Sequence, residues 1–158
     1  MHYSTLTTPV GELMLTADAD GALTAVHLPG RHGSTDGMQR DDALLEPARR
    51  QLTEYFAGER RDFDLPLRPA GAPFQLRVWE QLLTVPYGET ASYGEIAAEL
   101  GAPTASRAVG AANGRNPIAI VVPCHRVIGA NGSLTGYAGG LECKRALLDL
   151  EVGRAALV

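Results

Sequence analysis

The sequence predicts an α+β fold in which a small antiparallel sheet with one helix precedes a mainly helical second half. Short segments rich in Thr, Leu and Val, separated by turns, fill the first 28 residues. After a stretch with three prolines and a glycine at 64–73, the apolar spacing becomes helical. A chain of 158 residues can bury one core, or two small cores that share an interface. We therefore expect an N-terminal domain over 1–70 and a C-terminal domain over 74–158.

The first third predicts a sheet followed by a helix. Segments 3–7, 12–17 and 22–28 alternate partly between apolar and polar residues, and turns at 9–11 and 18–21 separate them. Residues 30–37 are polar and predict a loop. A helix is expected over 42–57, because apolar side chains recur there at helical spacing. Asp41 or Asp42 is its expected N-terminal cap, and Gly58 ends it.

The second half predicts four helices. The first covers 74–83 and places Trp79 in the core. The second begins at Ser92, where Glu95 completes a capping box, and ends at Gly101. A turn at 102–104 leads to a third helix that ends near residue 112, and a last helix covers 142–150. Two short helices joined by a tight turn are typical of a helix-turn-helix, and a hairpin turn at 131–132 between 127–128 and 134–135 predicts its wing.

The third helix carries Arg107 among small residues such as Ala108 and Gly110. Small side chains suit a helix that enters a groove of nucleic acid. They equally suit close packing against a neighbouring helix, and taken alone that second interpretation is the commoner one.

The composition limits the class of protein. No apolar run approaches the roughly 20 residues needed to cross a bilayer, and the first residues lack the features of a signal peptide, so a cytoplasmic protein without membrane association is expected. The net charge of −4 argues weakly against nucleic acid. However, residues 100–141 contain no acidic side chain and carry Arg107, Arg115 and Arg126. Arg115 and Arg126 are each expected either to contact phosphate or to form a structural ion pair. Lys144 is the only lysine, which we attribute mainly to codon bias.

A thiol beside an imidazole is the most telling feature of the sequence. Cys124 and His125 follow the apolar run 118–122, which places the cysteine at the edge of a core. Thiolate is the reactive form of cysteine, and a nearby base is the usual way to generate it at neutral pH. The pair predicts a cysteine nucleophile in an electropositive segment. The second cysteine, Cys143, has no such neighbours and is expected to be structural.

Motifs around this pair resemble those of the O6-alkylguanine-DNA alkyltransferases. They are Pro-Cys-His-Arg-Val-Ile at 123–128, Arg-Ala-Val-Gly at 107–110, Asn-Pro at 116–117, Pro-Tyr-Gly-Glu at 86–89, Ser-Tyr at 92–93 and Gly-Tyr-Ala-Gly-Gly at 136–140. The match is dense over 74–151 and loose over the first 70 residues. The resemblance implies a ribonuclease H-like first domain, a winged helix-turn-helix in the second, and single-turnover DNA repair without a cofactor. It implies O6-alkylguanine in double-stranded DNA as the substrate, with O4-alkylthymine as a second candidate lesion.

The resemblance also implies roles for residues of the reaction centre. Cys124 would attack the alkyl carbon, His125 would take up its proton through a water, and Glu151 would orient His125. The main chain of Cys124 and Val127 would accept from the guanine amino group. Tyr137 would form a wall of the base pocket, and the main-chain N–H of Ala138, where many relatives have serine, would donate to O6.

Further roles concern DNA. The target nucleotide must leave the duplex before it can react. By resemblance, Arg107 would fill the vacated stack, Tyr93 would help to rotate the phosphate and donate to the base N3, and Asn116 would brace the turn before the active-site segment. The helix would enter the minor groove. The expected DNA-binding residues are Arg107, Ser106, Ala108, Gly110 and Arg115. A monomer is expected, with cooperative assembly along DNA as a further arrangement.

Some members of this family bind a structural zinc through N-terminal cysteines and histidines. This chain has no cysteine before Cys124, and His2, His27 and His32 do not form a matching set, so no metal is expected. Two other functions compete with alkyl transfer. One is a lesion-binding protein without activity, and the presence of Cys124 argues against it. The other is a Cys-His hydrolase, in which the helix-turn-helix and the stretch without acidic side chains around Cys124 would have no role.

Overall fold

The computed structural model describes residues 1–134, 137 and 139–153 and confirms the α+β arrangement. The first half contains strands β1 (His2–Thr8), β2 (Gly11–Ala17), β3 (Leu23–His27) and β4 (Gln39–Arg40), followed by helix α1 (Glu46–Phe56). The second half contains helices α2 (Pro73–Leu82), α3 (Tyr93–Glu99), α4 (Ser106–Gly114) and α5 (Leu141–Val152). Two short strands, β5 (Ala91–Ser92) and β6 (Val127–Ile128), lie among these helices.

The N-terminal sheet has the strand order β3-β2-β1-β4. The three expected strands pair in antiparallel fashion, with a two-residue turn between Thr8 and Gly11. The expectation of a purely antiparallel sheet is wrong at one edge, because β4 pairs in parallel with β1 and places Gln39 opposite His2. A two-residue strand is too short to show an alternating pattern, so the sequence carried no signal for it.

Helix α1 begins at Glu46, four residues later than expected. Asp41 does accept a hydrogen bond from the main-chain N–H three residues later, at 3.0 Å, but it caps a turn rather than the helix. Pro47 has no N–H to continue helical hydrogen bonding toward residue 43, which explains the delayed start. Asp42 accepts instead from the Ser4 hydroxyl of β1, at 2.6 Å.

Residues of both halves cover the outer edge of β3. Leu23 donates its N–H to the carbonyl of Pro66 at 2.8 Å, and Val26 donates to the carbonyl of Pro117 at 2.9 Å. An edge strand otherwise exposes unpaired N–H and C=O groups, so these contacts complete the sheet. The buried apolar side chains of both halves form one contiguous core. The N-terminal sheet therefore fixes the start of the segment that leads to Cys124, while the domain boundary near 70–74 stays a prediction.

Helices α3 and α4 pack against each other and against α2. The capping box is present: Ser92 Oγ accepts from the N–H of Glu95 at 3.1 Å, and the Glu95 carboxylate accepts from the N–H of Ser92 at 2.9 Å. Gly101 ends the segment in a left-handed conformation, with φ +73°. The buried indole of Trp79 donates to the carbonyl of Ala112 at 2.8 Å, which joins α2 to α4.

The expected wing is only partly covered by the described residues. The chain turns at 131–132, where the N–H of Gly129 donates to the carbonyl of Ser133 at 2.9 Å. Strand β6 pairs in parallel with β5, with Ala91 opposite Val127. The hairpin partner expected at 134–135 includes Thr135, which lies outside the described residues, so the winged helix-turn-helix stays a prediction. Within the described ranges, no helix combines the length and the apolar character that crossing a membrane requires.

Candidate active site

The apolar run before Cys124 folds as a buried loop rather than a strand. The N–H of Val122 donates to the carbonyl of Ile118 at 3.0 Å. Ile120 has φ +72°, a left-handed conformation that costs a bulky residue roughly 1–3 kcal/mol. Its side chain is buried, so core packing holds the strained turn in place. Cys124 begins a short 3-10 helix, Cys124–Arg126, directly after this loop and lies at the edge of the core, as the sequence indicates.

Asn116 ties the two ends of this loop together. Its Oδ1 accepts from the N–H of Ile118 at 3.0 Å, and its Nδ2 donates to the carbonyl of Val122 at 2.8 Å. Asn113 of α4 donates its Nδ2 to the carbonyl of Cys124 at 3.3 Å. The end of α4 and the cysteine segment are therefore joined by side-chain amides, an arrangement that agrees with the bracing role expected of Asn116.

A pocket of about 320 Å³ opens over Cys124. Both halves of the chain line it. The C-terminal half contributes Asn113, Gly114, Arg115, Asn116, Pro117, Ala119, Cys124 and Tyr137; the N-terminal half contributes Val26, His27, Leu28 and Arg31. None of these lining residues is acidic, so the described wall carries no negative charge that would repel a ligand attached to phosphate groups.

Cys124 is a protonated thiol at rest. Burial raises the pKa of Cys124, although a hydrogen bond from Asn116, the charge of Lys144 and the Tyr137 hydroxyl act in the opposite direction. Burial also raises the pKa of Tyr137 well above its ordinary value, so its phenol stays protonated beside the sulfur. Among the described residues, the Tyr137 hydroxyl has no partner that satisfies hydrogen-bond geometry. It is therefore placed to donate to a thiolate or to a ligand.

A buried carboxylate lies behind the cysteine segment. Glu151 Oε2 is 2.6 Å from Nε2 of His125, and Arg126 donates from Nε to Oε1 at 2.8 Å and from Nη2 to Oε2 at 3.0 Å. The Tyr55 hydroxyl donates to Oε2 at 2.6 Å, and the N–H of Gly88 donates to Oε1 at 3.3 Å. Burial alone would raise the pKa of Glu151, but the hydrogen bonds from His125 and Arg126 outweigh it and lower the pKa to about 2.

The ionised carboxylate fixes the tautomer of His125. A carboxylate can only accept, so Nε2 of His125 carries the proton and Nδ1 is left as an acceptor. Burial lowers the pKa of His125, although Glu151 opposes this shift, so the imidazole is neutral at physiological pH. Nδ1 is buried and has no hydrogen-bond partner among the described residues. Cys124 and His125 are thus not joined by a direct hydrogen bond, and the water relay that the sequence resemblance implies stays a prediction.

Lys144 is a functional candidate that the sequence analysis missed. Its ammonium group donates to the carbonyl of Val127 at 2.6 Å and is buried beside Cys124, whose negative charge it would stabilise. Burial lowers the pKa of Lys144. A single lysine in an arginine-rich chain was the available signal, and codon bias explained it equally well. The carbonyl of Val127, expected to accept from guanine, keeps a second lone pair for that purpose.

Most of the predicted DNA-binding residues lie on α4. On α4, Arg107 and Ala108 are exposed, whereas Ala112 packs inward, so packing against neighbouring helices accounts for Ala112, and entry of the exposed face into a groove stays a prediction. Ser106 and Gly110 are half-buried, and a Cβ on Gly110 would lie 3.8 Å from the ring of Tyr93, the first residue of α3.

Arg115 is exposed at the rim of the pocket, whereas Arg126 is buried in an ion pair and is not available to DNA. Ala138 lies outside the described residues. In the described ranges, no three His, Cys, Asp or Glu side chains are close enough together to hold a metal ion.

The chain is similar to proteins of known family over almost its whole length. Residues 1–69 match the 6-O-methylguanine DNA methyltransferase ribonuclease-like domain, and residues 73–153 match the DNA binding domain of the same family. The methylated-DNA–protein-cysteine methyltransferase of Mycobacterium tuberculosis is 54% identical over 157 residues, covering 98% of this chain and 94% of the relative. The constitutive methyltransferase of Bacillus subtilis is 46% identical, covering 95% of this chain and 94% of its own length.

Solved structures agree with these similarities. The crystal structure of Mycobacterium tuberculosis OGT in complex with DNA superposes with a TM-score of 0.92 at 54% identity, covering 98% of this chain and 95% of that one. The O6-methylguanine-DNA methyltransferase of Pyrococcus kodakaraensis superposes with a TM-score of 0.65 at 25% identity, covering 95% of this chain and 98% of that one. Two family matches that together span the chain, and relatives about half identical to it, lead to one conclusion: the chain belongs to the 6-O-methylguanine DNA methyltransferase family.

Proposed function

We propose that this chain repairs DNA by transferring an alkyl group from O6 of guanine to Sγ of its own Cys124, in a single irreversible turnover. The observation that carries the proposal is the position of Cys124. Cys124 lines an open pocket whose lining, among the described residues, contains no acidic side chain, and it is followed in the chain by a buried, neutral histidine whose tautomer Glu151 fixes. O4-alkylthymine is a second candidate lesion for the same pocket.

The reaction requires a thiolate that the resting site does not contain. The Cys124 proton passes to Nδ1 of His125, through an intervening water, and Glu151 stabilises the imidazolium that forms. The Lys144 ammonium and the Tyr137 hydroxyl offset the cost of the buried sulfur anion. Because burial raises the pKa of Cys124, the thiol is protected from unspecific oxidation and alkylation until a substrate occupies the pocket.

The bond changes then balance without a cofactor. The thiolate attacks the alkyl carbon in line with the C–O bond; an S–C bond forms as the C–O bond breaks, and the electron pair stays on the guanine. The guanine takes up one proton in exchange for the one that left Cys124, and His125 returns to its neutral form through water. The carbonyls of Cys124 and Val127 accept from the amino group of the base, and Tyr93 donates to its N3. The product is S-alkylcysteine, which has no leaving group suited to regeneration, so the protein acts once.

DNA is proposed to approach over α4. The exposed Arg107 and Ala108 lie on this helix, with Ser106 and Gly110 beside them and Arg115 at the rim of the pocket. Small residues let the helix enter the minor groove, and Arg107 takes the place of the flipped nucleotide. We propose that the protein acts as a monomer in the cytoplasm, with residues 1–70 as a domain that supports the reactive second half.

The mass of the intact protein after mixing with an equimolar duplex containing O6-methylguanine tests this proposal. One added mass of about 14 Da, localised to Cys124 and limited to one per molecule, is expected. Cys124→Ser should show no gain while it still binds the lesion. Cys143→Ser is the matched control and should react like the wild type, because burial and the nearby Cys124 raise the pKa of Cys143 to about 11 and keep it unreactive.

The other possible results of this experiment favour the two alternative functions. Tight lesion binding without a mass gain would replace the proposal with that of a lesion-binding protein. If the protein neither binds the lesion nor gains mass, DNA repair is rejected and a Cys-His hydrolase is favoured. Such an enzyme would release product repeatedly from an ester or amide substrate.

A further inference from the structure

Tyr55 brings the N-terminal half into contact with the proposed catalytic pair. It lies on α1 and donates its hydroxyl hydrogen to Oε2 of Glu151 at 2.6 Å, across 96 residues of sequence. Nε2 of His125 lies 2.6 Å from the same oxygen. Both Tyr55 and His125 are completely buried, so no bulk water competes for this oxygen.

We propose that Tyr55 is a positioning residue for the reaction of Cys124: its hydrogen bond to Glu151 limits how strongly the carboxylate attracts the Nε2 proton of His125, and so keeps the imidazole neutral and ready to accept a proton at Nδ1. The inference rests on the proposed function, which makes His125 the proton acceptor. It gives the N-terminal half a role in the chemistry in addition to support of the fold.

One carboxylate oxygen of Glu151 has three hydrogen-bond donors. Oε2 accepts from Tyr55, from His125 and, at 3.0 Å, from Nη2 of Arg126. Each donor withdraws electron density from the carboxylate and weakens it as an acceptor for the others. Loss of the Tyr55 donor would therefore strengthen the bond to His125 and favour its charged form, which cannot take up the thiol proton.

The phenol is a permanent donor at this position. Burial raises the pKa of Tyr55 well above its ordinary value, and the charge of Glu151 adds to the shift. Its ring is held independently of the hydroxyl, with ring centroids 5.3 Å from Phe56, 5.6 Å from Phe63 and 6.2 Å from Tyr87. Tyr55→Phe should therefore remove the hydrogen bond and leave the ring in place.

The other ionisable groups around this cluster stay unchanged in that variant. They come from the 3-10 helix, from α5, from the segments before α2 and before β5, and from the pocket wall: Cys124, Arg126, Lys144, Arg61, Tyr87 and Tyr137. Of these, Arg126 and Lys144 lower the pKa of His125 in both proteins. A change in the titration of His125 on removal of the Tyr55 hydroxyl is thus attributable to that hydroxyl.

Nitrogen-15 NMR of the histidine side chains tests the proposal without DNA. The chain has four histidines, so the resonances of His125 can be assigned by comparison with a His125→Gln variant. In Tyr55→Phe, the imidazolium of His125 should persist to a higher pH than in the wild type, by roughly half to one pH unit. The acid limb of the pH–rate profile for Cys124 methylation should move in the same direction, and the reaction near pH 7 should be slower by at most about threefold.

Two further variants of the chain, one at Tyr87 and one at Tyr55, serve as controls for this test. Tyr87→Phe removes a hydroxyl from the same ring cluster that makes no hydrogen bond to Glu151 among the described residues, and should leave the His125 titration unchanged. Replacement of Tyr55 by 3-fluorotyrosine, a stronger donor, should lower the titration midpoint instead. An unchanged His125 titration in Tyr55→Phe, with only a lower melting temperature, would overturn the proposal. A shifted titration in a protein that never accepts an alkyl group would support the coupling and reject the proposed function.

Discussion

Arg126 is hydrogen-bonded to both carboxylate oxygens of Glu151, with Nε 2.8 Å from Oε1 and Nη2 3.0 Å from Oε2. Its third nitrogen, Nη1, donates to the carbonyl of Val85 at 2.8 Å. This ion pair joins Arg126, two residues after the proposed nucleophile Cys124, to Glu151 of the C-terminal helix α5. It also balances the charge of Glu151, so that His125 can remain neutral beside a carboxylate.

Replacement of Arg126 by Met should strongly destabilise the protein. The substitution leaves the buried Glu151 charge without its partner, and breaking a buried ion pair in this way costs about 3–5 kcal/mol. Urea unfolding measures the loss. Arg40→Ala, which breaks an exposed pair with Asp42, is the matched control and should cost less than about 1 kcal/mol. Equal losses in the two variants would show that Arg126 has no special structural role.

Replacement of Arg107 by Ala should slow repair of duplex DNA more than reaction with the free base. If Arg107 fills the vacated stack, its loss raises the cost of nucleotide flipping and should slow transfer from a duplex roughly tenfold, about 1.4 kcal/mol. Free O6-methylguanine needs no flipping and should react at a rate close to that of the wild type. Single-turnover rates on the two substrates measure the difference.

Arg50→Ala provides the matched control for this experiment. Arg50 is exposed on α1, in the other half of the chain, and its removal lowers the positive charge by the same amount. It should leave the ratio of the two rates unchanged. An Arg107 variant that loses the same factor on both substrates would contradict a stack-filling role.

Replacement of Asn116 by Ala should loosen the segment that carries Cys124. The variant leaves the N–H of Ile118 and the carbonyl of Val122 without their side-chain partners, at a cost of about 2–3 kcal/mol. The strained φ of Ile120 should then relax, and the transfer rate should fall along with the free energy of unfolding. Urea unfolding and single-turnover kinetics measure both effects. Asn131→Ala, in an exposed turn, should change stability by less than about 1 kcal/mol.

Glu151 should contribute to acid unfolding. Folding lowers the pKa of Glu151 from 4.5 to about 2, so its stabilising contribution is complete above pH 4.5 and is lost as the pH falls toward 2. In Glu151→Gln, the free energy of unfolding should therefore depend less steeply on pH across this interval. Chemical unfolding at a series of pH values gives the slope. The exposed Glu59→Gln should keep the slope of the wild type, and an unchanged slope in Glu151→Gln would contradict the assigned ionisation.

The sequence by itself determined the elements that depend on local patterns. Alternating segments predicted the three long strands, and the capping box at Ser92 and Glu95 placed the start of α3 correctly, because strand alternation and capping act between near neighbours. Local patterns failed for strand β4, which exists because the distant β1 offers it an edge. The late start of α1 has a local cause, because Pro47 interrupts its first turn, and the apolar spacing that predicted the helix did not take this proline into account.

The same division holds for the site. Cys124, His125 and Glu151 could be selected from the sequence through motif resemblance, and the structure joins His125 to Glu151. The contact of Tyr55 with Glu151 and that of Lys144 with Val127 span 96 and 17 residues and have no motif of their own. Only the packing of α1 and α5 around the cysteine segment creates them. That packing decides which groups share a carboxylate oxygen, and therefore which protonation states the buried site adopts.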